Sequence, residues 1–298
     1  MRCLAPIMTA SGIFCVIVWT APPAWGLVVA PPALPLRLST TDSVVVGTVT
    51  ALEDKPVWAF PYPGAKEKVP FQVAVVQVQD LLKGPKGLTH VRVAFQLPEA
   101  PPVPQPGGGV IVAPARLGGG DRSPRLSEKQ EALFFLTQHP AETFYVLPIF
   151  YDVVPKTAPN FAKDVALLRR CAKLLDNPLA GLKSNDRDDR LLTAAMLIGQ
   201  YRTPPGNVDR SKLQTEPIAA EESRLILQAL LEADFTQFDA ETRLEAQSLF
   251  FDLGLTAQDG WMPPKVLRNP NELSQAAKDW LKKNVNTYRI QRYVVAEK

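Results

Sequence analysis

The residues predict an α+β protein: a small antiparallel OB-like β-barrel followed by an all-α C-terminal domain. Two β-branched runs, Thr41–Thr50 and Phe71–Val78, are each bounded by turn residues. The second is apolar on both faces over part of its length, as in a strand buried on both sides. From about Pro159 the apolar period changes from that of strands to that of helices.

Taken in order, residues 1–26 read as a signal peptide. Met1-Arg2 is a positive start, Ile7–Trp19 an uncharged apolar run, and Ala24-Trp25-Gly26 a cleavage site after Gly26. The run is short for a membrane span, so an uncleaved anchor is the lesser reading and no span is expected after cleavage. A lipoprotein site is weaker still, because Phe14 precedes Cys15 where a small residue is needed. Residues 27–40 read as an extended proline-rich leader. The barrel then covers 41–154, with strands at about Asp42–Leu52, Phe71–Leu82, His90–Phe95 and Glu131–Thr137. One or two more fall within Thr143–Leu147 and Phe150–Val154. A Pro/Gly-rich loop, 98–125, interrupts it, with a short strand expected at Val110-Ile111-Val112.

The helical domain is assigned to 155–298. Val165, Leu168, Ala172 and Leu175 repeat at helical spacing. Asn185 is read as the cap of a second helix with Asp186, Asp188 and Asp189 in its first turn. Further helices are expected at about 219–233, 241–253 and 272–285. The alternating tail Tyr288–Val295 reads as an edge strand or a segment laid along the helices.

Composition narrows the function classes. The 298 residues are 46% hydrophobic and 21% charged, ordinary for a globular protein. Losing residues 1–26 removes Arg2 and no acid, so 33 Lys and Arg become 32 against 30 Asp and Glu. That near-neutral balance gives no electrostatic footprint for nucleic acid. Cys3 and Cys15 lie in the signal, so Cys171 alone remains and no intramolecular disulfide is expected. His90 and His139 are the only histidines and stand in no metal-binding spacing. Asn185–Asp189 is similar to a calcium loop but lacks its glycine turn and distal Glu. No GxSxG or P-loop is present, so no catalytic residue, cofactor or metal is assigned.

The order Asp42–Val49, Val73–Gly84, His90–Val93 and Glu131–Leu136 resembles the netrin/TIMP-like, OB-type module of uncharacterised exported bacterial proteins, over residues 36–154. The resemblance implies a fold and a secreted binding style. It does not imply protease inhibition, because the N-terminal cysteine that inhibition needs is missing. The helical part resembles no family.

The sequence thus points to a non-catalytic binding protein of the periplasm or cell envelope, whose partner is a protein or an envelope component. Its contact residues are read as Trp58, Phe60 and Tyr62 on the proline-spaced loop, and Trp261 in Asp259–Pro264. The loop aromatics have a second reading, as a cover over one end of the barrel. The alternative function is a hydrolase-like enzyme whose carboxylates, such as Asp152, Asp164 or Asp259, meet only in space.

Overall fold

The computed structural model describes residues 31–97, 124–147, 149–205, 208, 210–264 and 269–296. The signal peptide, the Val110-Ile111-Val112 strand and all but the last two residues of the 98–125 loop lie outside that set.

The chain opens with helix α1 (Leu34–Thr40). Strands β1 (Ser43–Leu52), β2 (Val57–Ala59), β3 (Val69–Lys83), β4 (His90–Gln96), β5 (Glu131–Gln138), β6 (Tyr145–Val146) and β7 (Val153–Pro155) follow. They form one sheet. β1 pairs antiparallel with β3 on one side and β5 on the other, β2 and β4 pair with β3, and β6 and β7 pair with β5. β4 and β6 pair in parallel, so the pairings run from β1 through β3, β4, β6 and β5 and back to β1. Next come α2 (Phe161–Asp176), α3 (Pro178–Leu182), α4 (Arg187–Arg202), β8 (Leu213–Pro217), α5 (Ala220–Glu232), α6 (Ala246–Asp252), α7 (Pro270–Asn284) and β9 (Gln291–Val295).

This corrects the predicted fold class. The molecule is mixed α/β, with a seven-stranded sheet containing parallel and antiparallel pairs and helices on both sides of it in sequence. It is not an antiparallel barrel followed by an all-α domain. Three features account for the difference. Pro35, expected in an extended leader, sits in the first turn of α1, where its missing N–H costs nothing. β6 lies within the strand expected at Thr143–Leu147, but it pairs in parallel with β4, a partner no local pattern names. The tail strand β9 pairs antiparallel with β8, a partner far away in sequence, which puts a two-stranded sheet inside the expected helical region. Two helix starts also differ. Asp186, not Asn185, caps α4, its carboxylate accepting from the Asp188 amide at 2.8 Å. The fourth predicted helix begins only at Ala246, because Arg243 takes a left-handed φ of 59°.

Sheet and helices share a core. Along β1 and β5, Val44, Leu133 and Phe135 face the helices, while Val45, Val49, Ala132, Phe134 and Leu136 pack on the opposite face with Ala74, Val76 and Val93. The alternation of strand side chains thus divides these two central strands between two apolar clusters. A third cluster, Ala59, Phe71, Val73, Ala94 and Phe144, covers the other side of β3. Leu34 and Leu38 of α1 belong to the same cluster as Leu168 of α2, Ala195 and Ile198 of α4, and Ile226 and Leu230 of α5. α1 approaches α4 closely at Gly199, where a Cβ would stand 2.8 Å from Ser39 Oγ and 3.2 Å from Leu36 Cδ2.

A half-buried and a buried cation hold α1 down. Lys83, at the end of β3, donates to the carbonyls of Leu38, Ser39 and Thr41 at 2.8, 3.0 and 2.6 Å, satisfying the C-terminal end of the helix. Arg37 lies 3.7 Å over the centre of the Phe135 ring, donates to the Tyr151 carbonyl and faces Asp152 at 3.6 Å.

Candidate functional site

At the end of β5 the chain passes through His139-Pro140 and reverses toward β6. His139 is buried, and each ring nitrogen has a backbone partner. The amides of Ala141 and Glu142 donate to Nδ1 at 3.2 and 3.0 Å, so Nε2 carries the proton and donates to the Phe60 carbonyl at 2.9 Å. The ring also packs on Phe71 and Phe144, with centroids 6.3 and 5.0 Å away. His139 therefore fastens the aromatic loop between β2 and β3 to the end of β5. The sequence shows only a histidine in no metal-binding spacing after a buried strand, and neither ring partner is legible there.

Between this loop and the strand ends lies a pocket of about 370 Å³ lined by Pro61, Tyr62, Pro63, Phe71, Gln96, Thr137, Gln138, His139, Pro140, Val146 and Leu147. The wall is mostly apolar and aromatic, within the size range of small-molecule sites. It carries no Asp, Glu, Lys or Arg. Tyr62, Gln96 and Thr137 make no side-chain hydrogen bond among the described residues, so a hydroxyl, an amide and a second hydroxyl are free to meet a ligand. Gln138 is partly engaged, donating to the Glu142 carbonyl at 3.2 Å.

The four residues singled out from sequence fall in different places. Tyr62 lines the pocket and is 62% exposed. Trp58, on β2, is 59% exposed, its indole turned outward while Ala59 beside it is buried. Phe60 is 40% exposed, with Lys68 Nζ 5.5 Å from its ring centre and its carbonyl held by His139. Trp261 is remote from these three in its packing. It is 8% exposed and stacks edge-on against Phe250 at 4.8 Å, a core position. Its proline-rich loop looked like a surface signal, but the burial of an indole depends on the helices that meet it.

Two of the three carboxylates of the enzymatic reading, Asp152 and Asp259, are engaged, and the three stand in separate places. Asp152 is buried, accepts from the Ile149 amide at 3.1 Å and faces Arg37. Burial pushes its carboxyl up to about 6, outweighing the opposing pull of Arg37. Burial also lowers Arg37 to about 10, and its Nε has no hydrogen-bond partner among the described residues. Oppositely charged partners thus both shift toward neutrality, because loss of water outweighs an attraction acting at 3.6 Å. Asp164 lines a separate cleft with Asn160, Lys163, Glu241 and Arg243; burial raises its carboxyl and Arg243 opposes the shift. Asp259 accepts from the Thr256 amide and hydroxyl, both at 2.8 Å, and caps its own turn.

The acidic turn at Asp186–Asp189 is likewise used internally, with Arg170 paired to Asp186 and Asp189. Among the described residues no group of three or more His, Cys, Asp or Glu is placed to hold a metal ion. Cys171 is fully buried, and burial pushes its thiol up to about 12, away from the reactive thiolate. No described helix is long and apolar enough to cross a membrane. No family model matches the sequence, and no match was found among curated proteins.

Proposed function

We propose that this is an exported, non-catalytic binding protein that grips an uncharged apolar group of its ligand in the pocket beneath the aromatic loop. The observation that carries this reading is the pairing of a charge-free, aromatic-lined cavity, Tyr62 in its wall, with the exposed rings of Trp58 on β2 and Phe60 at the start of the adjoining loop. Exposed indole and phenol rings supply contact area at little cost in side-chain entropy, and the free hydroxyl and amide groups supply direction. The resemblance of residues 36–154 to secreted netrin/TIMP-like modules supports the same style of action. Protein or envelope components are the natural partners for a protein in that compartment.

The pocket is tested by titrating a neutral phenylalkanol into amide-labelled protein. Saturable shifts of the Gln138, His139 and Val146 amides are expected, weakened about tenfold in Tyr62→Ala, a loss typical of one well-packed aromatic contact. Shifts that never saturate, or that spread evenly over the sheet, would overturn the pocket. Export is tested separately: protein recovered from the envelope fraction is expected to begin at Leu27 by intact mass, and an N-terminus still at Met1 in that fraction would contradict cleavage.

A further inference from the structure

A second, smaller cavity adjoins the first. It has a volume of about 190 Å³ and is lined by Ser39, Thr40, Asp42, Thr137, Gln200, Thr203, Pro204 and Pro205. Thr137 lines both cavities. The Gln138 amide, from the wall of the first, donates to Asp42 Oδ2 in the second at 2.7 Å. The two cavities therefore share Thr137 and flank one hydrogen-bonded residue pair at the end of β5.

Their chemistry differs. The first is mostly apolar and carries no charge, whereas the second sets hydroxyls, an amide and one carboxylate beside two prolines. The second cavity also sits at the C-terminal end of α4, a helix of 16 residues that finishes at Arg202 with Thr203 as its cap. Carbonyl groups crowd the end of a helix and make it electronegative. The Asp42 carboxylate adds a full negative charge to that field. On the sheet side Lys83 donates to the three carbonyls at the end of α1, and its charge also attracts Asp42, so the carboxylate's field is offset in part from that side. Arg202 is turned away from the cleft, donating to the Gln291 carbonyl at 3.3 Å and lying 5.3 Å from the Tyr293 ring.

We infer that the ligand is a cationic amphiphile: an apolar or aromatic group seated under Tyr62, joined to an amine that lies against Asp42 and the C-terminal end of α4. Such a ligand is either a small amine or a basic residue next to an apolar one in a peptide. This inference rests on the binding reading proposed above and names the chemistry of the same site.

The experiment compares phenylalkylamines of graded spacer length with the alcohols and carboxylates of the same skeletons, by calorimetry on the full mature chain. At low salt the best amine is expected to bind about threefold to fivefold more tightly than its alcohol, the range for an exposed ion pair. The carboxylate is expected to bind more weakly than the alcohol. The amine's advantage should fade in high salt. Asp42→Asn keeps an oxygen for the Gln138 amide and is expected to abolish the amine's advantage while leaving alcohol affinity unchanged. Gln200→Glu, at an exposed position, is expected to tighten the amine alone. Equal binding of amine and alcohol at every spacer length, or an amine preference that survives Asp42→Asn, would overturn the head-group inference while the pocket stands. Failure of all three series would remove the pocket reading itself, and this inference with it. A lysine-containing apolar tripeptide binding in place of the amine would assign the peptide source.

Discussion

At the residue scale the molecule's most demanding pair is Arg37 with Asp152. Their side chains are 7% and 11% exposed. Burial holds the Asp152 carboxyl at about 6, above its ordinary 3.8, so the folded protein binds that proton more tightly than the unfolded chain does. The cost of the buried charge is therefore fully present above about pH 6 and is relieved as pH falls from there toward 3.8. Between about pH 7 and about pH 5 this one group is expected to add about 1 kcal/mol of stability. Denaturant unfolding across that window should show Asp152→Asn losing that gain; an identical pH profile in variant and parent would refute the assignment. Removing the other partner has the opposite consequence. Arg37→Met strands a buried carboxylate and is expected to cost about 3–5 kcal/mol near neutral pH, with less loss in acid, where Asp152 is protonated. His139 shows the same dependence on partners: nothing beside it in the chain says that both its nitrogens are occupied, since one of them answers to Phe60 across 79 positions.

At the element scale α1 is a short helix that cannot be stable alone. It is kept by contact with α4 at Gly199 and by the Lys83 ammonium on its last carbonyls. A side chain larger than hydrogen at position 199 must displace Ser39 and Leu36. Gly199→Val is expected to cost about 1–3 kcal/mol, the range for overpacking a tight contact. Hydrogen exchange should then show amides of residues 34–40 losing protection before those of β1 and β5. If α1 amides kept their protection in this variant, the crossing at Gly199 would not be what holds the helix. The strands were more readable than this helix. Val73, Ala74 and Val76 read as apolar on both faces of β3, and all three are buried, the first in one cluster and the other two in another. The proline-spaced segment before β1 carried no comparable signal, because a proline in the first turn of a helix and a proline in an extended leader look alike in one sequence.

At the scale of the whole molecule the largest apolar cluster crosses the boundary drawn near residue 154. Leu38, Val44, Leu133 and Phe135 from the N-terminal side pack with Leu168, Ile198, Leu230 and Trp280 from the C-terminal side. Leu38→Ala is expected to lower stability by about 2–5 kcal/mol, as for large-to-small changes in a core. The loss should be felt by sheet and helices together, in one transition seen equally by far-ultraviolet circular dichroism and by tryptophan fluorescence. Two separated transitions would mean that the two sides of the cluster unfold independently.

What the sequence alone determined about this protein is local. β-branched, apolar or alternating runs mark strands at about 42–52, 71–82, 90–95 and 131–137, and helical spacing or a capped apolar run marks α2, α4, α5 and α7, because each pattern is a property of neighbouring residues. The cluster of Trp58, Phe60 and Tyr62 among prolines is also legible, but whether its rings cover the sheet or face solvent is not. What only the tertiary structure decided is everything that joins distant segments. The parallel β4–β6 pair, the β8–β9 sheet, the placing of α1 and the burial of Trp261 all depend on partners absent from their own neighbourhoods. The candidate site is of the same kind. Tyr62, Phe71, Gln96 and Val146 belong to four separate stretches that meet only where β5 ends, and Asp42 joins them only through the Gln138 amide.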